Sequence, residues 1–170
     1  MTEAEAEALR TLRALAVDRG LGLHPGSDQL IRFGLDALLA GVDSPSLPLL
    51  AGLGRNEEPQ ALDLFDQVLD ELGLAYPRPV GATFAADRRA LADWLAARIV
   101  EGVLEPARGA DLIREVAVEL GHPEALAPMV RWALTWDVRD EEWDYTHEEL
   151  SEGVVLAARD LLTHRPSENG

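Results

Sequence analysis

Leucine, alanine and valine recur at three- and four-residue spacing through most of the chain, and that period predicts helices. Leu9, Leu12, Leu15 and Ala16 predict a first helix over residues 4–19, with Gly20 placed to stop it. After the turn-rich GLGLHPG, Ser27 is expected to cap a second helix reaching about Ala40. Its apolar face is read as Ile31, Leu35, Leu38 and Leu39. Gly34 lies inside that helix, at a cost of about 1 kcal/mol relative to alanine. Ser44 and Pro45 predict another start, followed by a short buried helix carrying Leu47, Leu49, Leu50 and Leu53. Residues 57–72 form a cleaner pattern: Leu62, Phe65, Leu69 and Leu72 share one stripe, Val68 lies beside it, and Asp63, Asp66 and Asp70 lie opposite.

The stretch AYPRPVGA at 75–82 holds two prolines and a glycine, so it resists regular helix and is the candidate internal boundary. Beyond it, Thr83 is expected to cap a helix through Leu91, Trp94, Leu95 and Ile99. Pro106 marks a break, and a following helix holds Asp111 near its start, then Leu112, Ile113, Val116 and Leu120. Pro123 is expected to open another with Leu126, Met129, Val130 and Leu134. Thr146 and Glu149 match a capping box at the head of a last helix, which runs through Val155 and Leu156 to Leu162. The tail, residues 164–170, is expected to fray. Strand and hairpin signals are missing. The prediction is an all-α fold: a compact single-domain bundle of about seven to eight helices spanning residues 1–170.

Composition narrows the chemistry. All fifteen basic residues are arginines, so Schiff-base or lysine-base catalysis has no residue to use. Cysteine is also missing, which removes disulfides, thiol nucleophiles and thiolate-bound zinc. The N-terminal MTEAEAEALR is acidic where a secretory signal is basic, and no apolar run spans a bilayer. A cytoplasmic location is expected, with no membrane association.

Thirty-one carboxylates give a formal net charge of −16, a field that repels nucleic-acid phosphates and attracts basic surfaces. Eight of them fall within residues 137–152 against one arginine. Asp137, Asp140, Glu141, Glu142, Trp143, Asp144, Tyr145 and Glu148 are therefore the candidate partner-binding residues. Carboxylates supply electrostatic steering, and large aromatics beside them supply anchors. Trp132 and Trp136 lie four residues apart, a spacing that lets both side chains share one helix face, and both are expected in the core.

Catalytic patterns fail on spacing. His147 and Glu148 lack the second histidine of a zinc-protease helix. The acids from Asp137 to Glu148 place Arg139 at a calcium loop's third position and no glycine at its sixth. The serines form no nucleophile elbow, and the glycine-rich turns lack a phosphate-binding lysine. Arg88, Arg89 and Arg98 can balance nearby acids or hold an anion. No cofactor is expected.

The resulting expectation is a non-enzymatic acidic interaction protein that binds a basic protein partner, of immunity, inhibitor or regulatory-adaptor type. Two alternatives stay open. One is a metal-dependent enzyme or metal-binding protein with dispersed carboxylate and histidine ligands, for which Asp144, His147 and Glu148 are the local candidates. The other is a structural homo-oligomer, such as a homodimer, held by exposed leucine stripes.

Overall fold

A computed structural model of the chain describes residues 1–138 and 145–164. Among these, the protein is all-α: eight α-helices, two short 3-10 helices and no strand. The helices divide into two units, Met1–Pro77 and Arg78–Gly170. The division falls inside the 75–82 stretch. No helix among the described residues is long and apolar enough to cross a membrane.

The first unit holds α1 (Glu3–Gly20), α2 (Ser27–Leu39), α3 (Leu47–Ala51) and α4 (Ala61–Glu71). Thr2 starts α1: its hydroxyl accepts from the Glu5 amide at 3.1 Å, satisfying one of the donors that a helix start leaves open. Leu12, Leu15, Leu30, Leu47, Leu50, Phe65, Val68 and Leu69 fill the core. Full burial of a side chain such as Phe65 contributes roughly 1.5–3 kcal/mol.

Three expectations for this unit are corrected by the structure. The buried face of α2 is Leu30, Gly34 and Ala37, whereas Leu35, Leu38 and Leu39 are exposed. Close approach explains the difference: a Cβ on Gly34 would stand 2.8 Å from Leu50 Cγ, so glycine lets α3 pack directly on the α2 backbone. That contact turns the helix away from its larger side chains. On α3, Leu47 and Leu50 are buried but Leu49 is exposed. The helix expected over 57–72 is two elements, a 3-10 helix Arg55–Gln60 followed by α4. Pro59 lies in the first, where an α-helix would set its ring against the preceding turn.

Local starts shift as well. Gly26 occupies the cap position before α2, and Ser27 is its first helical residue, with no side-chain cap bond. Helix α3 begins three residues after Ser44, because the Ser44 hydroxyl is turned to Glu71 instead of a helix end.

The second unit holds α5 (Phe84–Val100), α6 (Pro106–Glu119), α7 (Ala127–Asp137) and α8 (His147–Thr163). Thr83 caps α5 as expected, accepting from the Ala86 amide at 3.2 Å. Pro106 opens α6 instead of only ending what precedes it, since proline in a first turn loses no helical hydrogen bond. Asp111 consequently lies more than a turn inside. Pro123 precedes a 3-10 helix Glu124–Leu126, and α7 follows. Leu91, Leu95, Ile99, Ile113, Met129 and Leu150 are among its fully buried side chains. Leu134, read with the apolar residues of its helix, is exposed, as is Leu156 on α8.

Candidate functional site

The second unit segregates its charge. By sequence it carries eighteen carboxylates and ten arginines, a formal −8. Residues 137–160 hold nine of those carboxylates against two arginines, so −7 of the −8 lies there. Elsewhere in the unit, arginines meet acids: Arg88 Nε lies 2.9 Å from Glu119, Arg98 Nη2 lies 2.7 Å from Glu101, and Arg78 approaches Asp87 at 3.6 Å. Arg88 also lies over the Phe84 ring and Arg98 over Trp94. The middle-helix arginines Arg88 and Arg98 are thus engaged with acids and rings, and Arg89 is exposed.

The described part of the acidic stretch is held at a corner between α7 and α8. Trp132 on α7 meets Tyr145 edge-on, with ring centroids 6.1 Å apart and planes at 76°. One turn later Trp136 meets His147 at 5.1 Å and 81°. The i,i+4 pair of tryptophans therefore grips the entry to α8 from one face. Both indoles are half-buried, short of the core placement expected for them. Glycine makes the grip close: a Cβ on Gly153 would lie 2.4 Å from the Trp132 ring.

The start of α8 is fixed by the anticipated capping box. Thr146 Oγ1 accepts from the Glu149 amide at 3.2 Å, and Glu149 Oε2 accepts from the Thr146 amide at 2.8 Å. Glu149 thereby spends its carboxylate on the backbone. Glu148 is exposed, and Tyr145 keeps 49% of its surface accessible. Asp137, at the end of α7, faces Arg114 at 3.5 Å. Asp111 is the nearer partner of that guanidinium, donated to from Nε at 3.0 Å. Hydrogen bonding to Asp111 raises the Arg114 pKa above its ordinary value, with a smaller attraction from Asp137. One arginine thus partly offsets Asp137, while Tyr145 and Glu148 stay on the surface.

Of the candidate partner-binding residues, Asp137, Tyr145 and Glu148 are brought to this corner. Asp140, Glu141, Glu142, Trp143 and Asp144 lie outside the described residues, as do the last six of the chain. The metal candidate loses a describable member with Asp144; His147 rests against Trp136, and no group of three or more potential ligands clusters among the described residues.

The first unit contains a polar cluster with no sequence signal. Ser44 and Ser46 are buried, and both hydroxyls donate to the Glu71 carboxylate, joined by the Ser46 amide at 2.9 Å. These bonds, Ser44 first, hold the Glu71 pKa below the usual carboxylate value. The Ser46 hydroxyl also lies 3.2 Å from Gln67 Oε1. The arrangement ties the entry of α3 to the end of α4, so its role is structural. Asp66, read as part of a solvated face, instead forms a fork with Arg19: Nε to Oδ1 at 2.7 Å and Nη2 to Oδ2 at 2.8 Å. Asp63 and Asp70 are exposed.

Comparison with protein-family models, with curated proteins and with solved structures gave no match to this chain.

Proposed function

We propose that the protein is a non-enzymatic acidic interaction protein that captures a basic protein partner through the α7–α8 corner, as an immunity protein, inhibitor or regulatory adaptor does. The observation that carries this reading is the confinement of nearly all the second unit's excess negative charge to residues 137–160. A surface whose acids were dispersed among compensating arginines would exert little directed field. Acids gathered in one stretch of sequence support a directed field, which accelerates encounter with an oppositely charged surface. The half-exposed Tyr145 ring, braced by Trp132, supplies an aromatic anchor of low conformational entropy beside it. The proposed setting is the cytoplasm.

Affinity capture from native lysate at low and at moderate salt tests the reading, repeated with residues 140–142 reversed to lysine. The reading expects one basic protein recovered specifically, with recovery weakened by the reversal. Recovery indifferent to the reversal contradicts it.

A further inference from the structure

Gly34 seats Leu50 of α3 on one side of α2, and Leu35, Leu38 and Leu39 keep 43%, 36% and 77% of their surfaces accessible. Single exposed leucines are ordinary on a protein surface, but three within five residues of one helix form a patch. Asp28, Arg32 and Asp36 stand around it, all exposed. Arg32 and Asp36 are four residues apart, the spacing of a helical ion pair. Neither forms an ion pair with the other or with any other described residue. The face thus combines uncovered leucines with one unpaired cation and one unpaired anion on a single row of the helix.

We infer that this face joins two copies of the chain, their α2 helices antiparallel across a two-fold axis level with Gly34. Charge complementarity selects the occupant. A basic partner would oppose Arg32 and an acidic one would oppose Asp28 and Asp36, whereas a second copy brings both signs in reverse order. Arg32 and Asp36 lie two residues to either side of Gly34, so an antiparallel mate sets Arg32 opposite Asp36 of the second copy, and the symmetry repeats the pair. A parallel mate would set Arg32 against Arg32 and Asp36 against Asp36. In the antiparallel register Leu35 lies about 1.5 Å along the helix from the axis level and meets its own equivalent. Leu38, about 6 Å from that level, meets the half-buried Ile31 of the second copy. An axis two or more residues nearer the helix end would carry Arg32 past Leu39, the last residue of α2. Each copy carries −16, so two copies repel at long range and meet where local charge is small. Helix α2 holds one arginine against two aspartates, while α4 holds four acids and no arginine, and α8 four acids against one arginine. A stable interface takes about 800 Å² from each partner, more than three leucines supply, so the pairing is reversible and concentration-dependent. The exposed Leu134 and Val138 of α7 carry no such assignment, because they border residues 139–144, outside the described residues.

The test is sedimentation velocity on the full chain from about 5 to 500 µM. The mass is expected to rise with concentration from 18.5 kDa toward twice that value. Leu35→Glu, at the two-fold, is expected to hold the protein at the monomer mass throughout, with its circular dichroism melt in dilute solution unchanged. Arg32→Asp and Asp36→Arg each set like charges opposite one another twice, so each alone should raise the dimer dissociation constant about tenfold. Mixed one to one, the two variants should regain the natural affinity as a heterodimer, because each reversed charge then faces its opposite. Both positions are exposed and unpaired in the single chain, so neither reversal removes a contact that the fold uses. A monomer mass at every concentration overturns the inference. Dimerisation that Leu35→Glu leaves intact, or that the mixed variants fail to recover, overturns it as well. The contact belongs to the first unit, so a monomeric result leaves the proposed capture at the α7–α8 corner standing.

Discussion

Gly153→Ala offers a sharp check on the α7–α8 corner, because two effects of known size oppose one another there. Alanine is the better helix former by about 1 kcal/mol, so an unobstructed helix would gain stability. At Gly153 the added Cβ would stand 2.4, 2.6 and 2.7 Å from three atoms of the Trp132 ring. A rigid indole cannot yield as a flexible side-chain end would. Overpacking of this kind costs about 1–3 kcal/mol. Displacing Trp132 also disturbs its edge contact with Tyr145, worth a further 0.5–1.5 kcal/mol or so. The net expectation is destabilisation by about 1–3 kcal/mol, read as a lower urea midpoint by circular dichroism. In a Trp132→Ala background the obstruction is gone, and Gly153→Ala should then stabilise by up to about 1 kcal/mol. Stabilisation by Gly153→Ala in the natural sequence would refute the close approach and, with it, the bracing of Tyr145.

Two further predictions concern the first unit. The Glu71 carboxylate has a lowered pKa, so its stabilising effect is complete above the unfolded value of about 4.3 and is lost as pH falls through the folded value. Glu71→Gln should therefore lower the melting temperature at neutral pH and narrow the gap to the natural protein in the acid range; a constant gap across that range would contradict the linkage. The Arg19–Asp66 fork is partly screened by solvent, so a double-mutant cycle with Arg19→Lys and Asp66→Asn should return a coupling of about 0.5–1 kcal/mol that shrinks in high salt. A coupling of zero at low salt would remove the fork from the account of how α1 is tied to α4.

Local signals were the most legible part of the sequence. Thr83 and the Thr146–Glu149 box mark helix starts through side chains that reach only three residues, so the sequence alone contains the whole interaction. The period of Leu91, Trp94, Leu95 and Ile99 identified a face that the structure buries. Helix α2 shows the limit of periodicity. Its leucines outweigh Gly34 and Ala37 in hydrophobicity, yet the small residues admit Leu50 and so decide the packing. Distance along the chain hid the rest. Ser44 and Ser46 meet Glu71 across 27 and 25 residues, and Arg19 meets Asp66 across 47, with no local pattern to announce either. At the corner, sequence adjacency gathered the acids, but the partners of Trp132 and Trp136 became visible only once α8 was folded back onto α7.

The central claim is that a directed negative field near the chain's last helix draws in a basic protein. Its most direct measurement is the association rate constant between the protein and its captured partner, followed by stopped flow from about 0.01 to 0.5 M salt, where the screening length contracts from about 30 Å to a few ångströms. The account predicts a steep fall of that rate with salt, and a rate at least tenfold slower at low salt when residues 140–142 are reversed to lysine, with dissociation changed much less. A rate insensitive to salt and to the reversal would contradict it.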